Sequence, residues 1–148
     1  MRCTAIRPDV AGVWRALGNA YRDNAEGVRS REALERSIAL SSDHAATYID
    51  LAKTCRVLGD HPAAESAARQ ALKLGSGAAA AQYELGQALL AQERTAEALV
   101  AFEESQRVSQ DNPRIAAHWE PSIPSLIDEC RRKLSLPDVI PPKSTSQE

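Results

Sequence analysis

Apolar residues recur every three or four positions along much of the chain, which is the spacing of one face of an α-helix. Trp14, Leu17 and Tyr21 follow this spacing in one segment, and Leu34 and Ile38 follow it in the next. The β-branched and aromatic residues that favour strands are scarce, whereas the helix-forming residues Ala, Leu, Arg and Glu are abundant. The pattern therefore predicts an all-helical protein.

Residues that favour the ends of helices separate these apolar segments. They are Asp23 with Asn24, Gly59 with Asp60 and the following Pro62, and Arg94 with Thr95. Because each interruption is short, the helices on either side are predicted to form hairpins.

The hairpins repeat with a period of 34 residues. WRALGNAY begins at Trp14, YIDLAKTC begins at Tyr48 and QYELGQAL begins at Gln82, so that no gap is needed to align them. Three further slots keep this register: Leu17, Leu51 and Leu85; Gly18, Ala52 and Gly86; and Leu34, Ala68 and Phe102. The period predicts three repeats, at residues 11–44, 45–78 and 79–112.

A 34-residue unit with the pattern W-x-x-L-G-x-x-Y resembles the tetratricopeptide repeat (TPR) family. Trp14, Leu17, Gly18 and Tyr21 match this pattern, and the later units are more degenerate. The proline that the family carries near the end of each unit is replaced by Ser42, Ser76 and Gln110. The resemblance implies an α-solenoid, a right-handed superhelix of three TPR hairpins with a C-terminal capping helix.

Both ends of the chain depart from the repeat. Residues 1–10 fit the register of the end of a preceding repeat helix, although a short extension that mimics a repeat by chance is the alternative. Residues 113–135 are expected to hold a partial helix and a capping helix, which a solenoid needs to cover its last apolar face. Residues 136–148 are rich in proline and poor in apolar residues, and we expect them to be disordered.

The charge balance argues against nucleic-acid and membrane partners. Eighteen basic residues oppose twenty acidic ones, and no long run of either sign occurs. The sequence also lacks an apolar stretch long enough to span a membrane and the apolar core of a secretory signal. We therefore expect a cytoplasmic protein.

No pattern of catalytic or metal-binding residues occurs. The three cysteines have neither CxxC spacing nor neighbouring histidines, and all are expected to be buried packing residues: Cys3, Cys55 and Cys130. The three histidines lie far apart without a nucleophile or carboxylate at a spacing typical of a triad. We expect no enzyme activity, no cofactor and no metal.

The resemblance implies that the first helix of each repeat lines a concave groove that binds a segment of another protein. Its exposed side chains would be Arg15, Asn19, Arg22, Asp23, Ile49, Asp50, Lys53, Arg56, Tyr83, Glu84, Gln87 and Leu90. A protein-protein interaction scaffold is thus the first hypothesis for function. The alternative is an accessory TPR region of a larger multidomain enzyme. Self-association through the open ends of the solenoid is a third possibility.

One branch of the family binds the C-terminal carboxylate of heat-shock chaperones through basic residues and asparagines. Arg15 and Asn19 match the first two positions of that pattern, but Asp50, Ala80 and Glu84 depart from it. The added negative charge predicts that such a carboxylate is repelled. The basic residues of the first two repeats instead predict a partner segment with acidic residues toward the N-terminal end of the groove.

Overall fold

The computed structural model describes residues 10–112 and 122–135, and within these ranges the chain forms seven helices and no strand. The helices are α1 (Val10–Asp23), α2 (Gly27–Leu40), α3 (Ala45–Val57), α4 (His61–Leu74), α5 (Ala78–Ala91), α6 (Thr95–Gln110) and α7 (Ile123–Lys133). The predicted all-α class is confirmed. The features predicted for residues 1–9, 113–121 and 136–148 lie outside the described residues.

The first six helices form three hairpins, α1 with α2, α3 with α4 and α5 with α6. Turns of three residues join the helices of each pair, at residues 24–26, 58–60 and 92–94. Each hairpin also packs on the next, because α2 contacts α3 and α4 contacts α5. The result is the solenoid of stacked hairpins that the period predicts.

A glycine opposite a large side chain sets how closely the helices of a hairpin approach. A β-carbon added to Gly18 would come within 2.7 Å of Leu34 Cγ, and one added to Gly86 would come within 2.6 Å of Phe102 Cε1. In the second repeat the same two slots hold Ala52 and Ala68, both fully buried. A larger residue on the second helix is thus matched by a smaller one on the first.

The turn inside each hairpin contains one residue in the left-handed backbone region. These residues are Ala25 (φ 62°), Gly59 (φ 79°) and Glu93 (φ 60°), which occupy equivalent places in the three repeats. The amide of the following residue donates to the carbonyl five residues before it, as from Asp60 to Cys55. This bonding pattern is the Schellman motif, which ends a helix after the preceding turn.

The core runs along the array and ends under α7. Phe102, Leu89 and Leu85 form its centre together with Ile123 and Ile127 of α7. The apolar face of α7 therefore covers the last hairpin, as predicted for the capping helix. Cys55 and Cys130 are buried free thiols, as expected of packing residues, whereas Cys3 lies outside the described residues.

The first repeat differs from the sequence expectation at Leu17. Leu17 shares its slot with Leu85, yet Leu17 is 36% exposed whereas Leu85 is 6% exposed. The reason is position in the array, because α3 and α4 cover the equivalent face of α5 and no described helix covers that of α1.

Candidate functional site

The first helices of the hairpins form the inner surface of the array. Helix α1 contacts α3, and α3 contacts α5, more extensively than the second helices of neighbouring hairpins contact one another. Helices that are packed more closely lie on the inner side of a curved array, so α1, α3 and α5 line the concave groove. Charged side chains from all three helices meet there.

Asp50 is the centre of the first charged cluster in the groove. Its Oδ2 accepts hydrogen bonds from Arg15 Nε at 2.7 Å and from Asn19 Nδ2 at 3.1 Å. Arg22 Nη1 lies 3.6 Å from the other carboxylate oxygen. The carboxylate is 9% exposed, so charge-assisted bonds from the first repeat neutralise a buried anion of the second.

Glu84 occupies the equivalent place one repeat later. Its side chain is 1% exposed, and its Oε2 accepts a hydrogen bond from Arg56 Nε at 3.1 Å. Burial raises the pKa of the Glu84 carboxyl, and the positive charges of Arg56, Lys53 and Arg22 oppose that rise. The groove floor thus contains a second buried carboxylate held by arginine.

The two clusters follow one rule of spacing. Arg22 pairs with Asp50 and Arg56 pairs with Glu84, each across 28 residues. Each pair joins the end of one first helix to the middle of the next, so the ion pairs hold neighbouring repeats together. Sequence analysis missed this arrangement, although opposite charges 28 residues apart in a 34-residue repeat were the available signal.

The structure changes the expected lining of the groove in one respect. Ile49, Asp50 and Glu84 are buried, which corrects the expectation that their side chains are exposed. Ile49 is buried because it packs against Ala45, Ala71 and Ala81 in the core between the second and third repeats. The other expected lining residues are exposed or half-buried: Arg15, Asn19, Arg22, Asp23, Lys53, Arg56, Tyr83, Gln87 and Leu90.

The accessible part of the groove therefore presents mainly cations in the first two repeats. The side chains of Arg15, Arg22 and Arg56 are partly exposed, whereas the carboxylates that they pair with are buried. In the third repeat Gln87 Nε2 donates to the hydroxyl of Tyr83 at 3.0 Å, and both side chains are half-buried. This part of the groove is neutral and amphipathic.

The described residues contain no group of three or more His, Cys, Asp or Glu side chains that could hold a metal ion. Burial raises the pKa of the Cys55 and Cys130 thiols, which makes them poor nucleophiles. None of the seven helices is long and apolar enough to cross a membrane.

Comparison with known proteins identifies this helical-repeat scaffold more closely. A family model described as tetratricopeptide repeat matches residues 15–78 and again residues 49–113. The two matches together span about two thirds of the chain, and the chain therefore belongs to the tetratricopeptide repeat family.

Solved structures share the fold at low sequence identity. The first TPR of Spaghetti (RPAP3) bound to the HSP90 peptide SRMEEVD is 16% identical, with a TM-score of 0.77 over 89% of this chain and 98% of that one. The Yersinia enterocolitica type III secretion chaperone SycD, in complex with a peptide of the translocator YopD, is 12% identical, with a TM-score of 0.79 over 88% and 98%. The Sgt2 TPR domain from Aspergillus fumigatus is 17% identical, with a TM-score of 0.76 over 91% and 85%. A search of curated protein sequences gave no significant match.

Proposed function

We propose that this chain is a protein-interaction scaffold that holds an extended or helical segment of a partner protein in the groove of α1, α3 and α5. The observation that carries the proposal is the arrangement of charge in the groove, in which arginine side chains lie nearer to solvent than the carboxylates with which they pair. Asp50 and Glu84 are buried, whereas the side chains of Arg15 and Arg56 that pair with them are partly exposed. A bound segment would therefore meet arginine donors before it meets the carboxylates.

This arrangement suggests the chemistry of the partner. Arg15, Arg22 and Arg56 can each offer remaining N–H donors to an acidic side chain, because arginine carries five. Tyr83 and Leu90 would instead favour an apolar side chain at the third repeat. The partner segment would carry acidic residues toward α1 and apolar residues toward α5.

The neighbours in structure support peptide binding as the general activity. The RPAP3 structure contains a bound HSP90 peptide, and the SycD structure contains a peptide of YopD. Both of these proteins share the hairpin architecture of this chain, with TM-scores of 0.77 and 0.79. These likenesses show the fold, and the use of the groove in this chain is our inference from it.

A chaperone C-terminal peptide is a poor candidate for the partner. Arg15 and Asn19, the two residues that match the chaperone-binding pattern, both donate to Asp50 Oδ2. An internal carboxylate thus already uses donors that a terminal carboxylate would need. We expect the peptide SRMEEVD to bind this chain far more weakly than it binds the first TPR of RPAP3.

The proposal can be tested with a display library of random peptides selected on the wild-type chain. Selected peptides should be enriched in Asp and Glu at one end and in apolar residues at the other. Binding of these peptides should fall by about tenfold or more in the paired variant Arg15→Gln with Asp50→Asn, because exposed charge is removed without leaving a buried carboxylate unpaired.

The matched control neutralises an ion pair on the second helices. Arg69 Nη2 lies 2.9 Å from Glu65 on α4, and Arg69→Gln with Glu65→Gln removes a pair of the same type outside the groove. The proposal predicts unchanged peptide affinity in this control. Peptides that lose affinity for the control but bind the groove variant like wild type would assign recognition to the outer surface.

A further inference from the structure

Helix α1 exposes an apolar face to solvent. Its exposed residues before Asp23 are all apolar: Val10, Val13, Ala16, Leu17 and Ala20. The polar side chains of Arg15, Asn19 and Arg22 point instead toward α3, where they meet Asp50. An exposed helix normally shows the opposite arrangement, so this face is typical of a surface that another element covers.

The equivalent faces of α3 and α5 are interfaces between repeats. Thr47 and Ala81 share the slot of Val13, and Thr54 and Ala88 share the slot of Ala20, and all four are buried. Because the repeats are equivalent, the α1 face lies where a preceding element would pack. Val13 is nevertheless 57% exposed in the chain as described.

The α1 face lacks the polar groups that join one repeat of this array to the next. Asp50 pairs with Arg22 of the preceding repeat, and Glu84 pairs with Arg56 of the repeat before it. The corresponding position in α1 is Ala16. A purely apolar partner therefore fits this face better than another repeat of the same kind.

A second copy of the chain supplies such an apolar surface. Two copies of α1 can pack antiparallel with the twofold axis at the level of residue 15. Val10 then lies opposite Ala20 of the other copy, and Val13 lies opposite Leu17. The positions 10, 13, 17 and 20 have the 3-4-3 spacing of a coiled-coil seam, and each larger residue at the ends meets a small one. The face is thus complementary to itself, as a twofold interface requires.

In the residues that the structure describes, the other end of the array offers no alternative surface for stacking. Ile123, Ile127 and Cys130 of α7 are buried against the last hairpin, and the outer side of α7 carries Asp128 and Arg132. Head-to-tail stacking would place this charged side on the apolar α1 face. We propose that the chain forms an isologous homodimer through antiparallel packing of α1 against α1 of a second copy.

The test is sedimentation equilibrium of the full chain over a concentration series. The wild-type chain should show a monomer-dimer equilibrium without larger species. Val13→Lys should raise the dimer dissociation constant by about tenfold or more, because it places an unpaired ammonium group in an apolar interface. The control Val100→Lys, at a valine of α6 that is 65% exposed, should leave the constant unchanged.

A charge-pair experiment tests the register of the interface. Val13→Lys and Leu17→Glu should each weaken self-association, whereas an equimolar mixture of the two variants should form a heterodimer, because position 13 of one copy faces position 17 of the other. Circular dichroism should show wild-type helix content in both variants, since both positions are exposed in the monomer.

Three results would overturn the proposal. A wild-type chain that stays monomeric to the highest concentration reached would exclude the dimer. Dimerisation that appears only after residues 1–9 are removed would assign the α1 face to that segment. Equal weakening by Val13→Lys and Val100→Lys would place the interface elsewhere.

Discussion

Arg56 Nε donates to the buried Oε2 of Glu84 at 3.1 Å, and this bond joins the second repeat to the third. The positive charges of Lys53 and Arg22 also favour the ionised carboxylate, and the hydrogen bond from Arg56 adds to them. The pair is therefore more than a surface ion pair, because loss of the arginine would leave an anion in the interior.

Arg56→Ala should destabilise the fold by about 3 to 5 kcal/mol, as expected when one member of a buried ion pair is removed. The paired variant Arg56→Gln with Glu84→Gln should cost much less, since neutral amides can replace the ion pair. Urea unfolding followed by circular dichroism would measure both. A similar loss in the two variants would show that side-chain packing, rather than charge, stabilises this site.

Glu84 should also make the stability depend on pH in a predictable direction. Burial raises the pKa of Glu84 in the folded chain above its ordinary value of 4.5. The folded state then binds the proton more tightly than the unfolded state, so this residue's stabilising contribution is present below that value and is lost as the pH rises through the folded pKa.

The comparison with Glu84→Gln isolates this effect. The unfolding free energy of the wild type relative to Glu84→Gln should fall as the pH rises above 4.5, as determined by urea titrations at each pH. Carboxyls whose pKa is lowered, such as Glu65, respond in the opposite direction, but they are common to both proteins and cancel in the difference. A difference that grows with pH would mean that Arg56 outweighs burial.

Packing of Gly86 against Phe102 provides a third prediction. A β-carbon at position 86 would lie 2.6 Å from the ring, so Gly86→Ala should destabilise the chain by about 1 to 3 kcal/mol despite the higher helix propensity of alanine. In a Phe102→Leu background the same substitution should cost less or even stabilise. A double-mutant cycle by thermal unfolding measures this coupling, and additive effects would contradict the contact.

The fold could be predicted from the sequence because its signal is repeated three times. The slot shared by Gly18, Ala52 and Gly86 helped to define the period, and in the structure Gly18 packs against Leu34 and Gly86 packs against Phe102. Each unit thus confirms the register of the others.

The groove was less predictable, since exposure depends on tertiary neighbours rather than on helical position alone. Asp50 and Glu84 lie at positions that a helical wheel directs into the groove, yet arginines from the preceding repeat cover them. The exposure of Leu17 also depends on tertiary neighbours. Leu17 and Leu85 share one slot of the repeat, but α3 and α4 cover the face of α5 that carries Leu85, and no described helix covers the same face of α1.

The turns within the hairpins give a fourth prediction. Glu93 and Gly59 occupy equivalent left-handed positions, and only glycine adopts this conformation without steric cost. Glu93→Gly should therefore raise the thermal midpoint, whereas Gly59→Ala should destabilise the chain by about 1 kcal/mol. A β-carbon at Gly59 meets no atom within 4 Å, so a loss there would report backbone strain rather than a clash.

Leu17 and Leu85 allow one slot of the repeat to be compared in two environments. Leu85→Ala removes a side chain that packs with Leu89 and Phe102, and it should cost about 2 to 5 kcal/mol. Leu17→Ala removes a side chain that is 36% exposed, and in the monomer it should cost less than about 1 kcal/mol. Urea unfolding at protein concentrations well below the dimer dissociation constant would measure both costs. At high concentration the cost of Leu17→Ala should increase, because the proposed dimer buries the Leu17 side chain. An equally large loss for both leucines at low concentration would mean that a segment of the same chain already covers the α1 face, and the dimer proposed for that face would then be wrong.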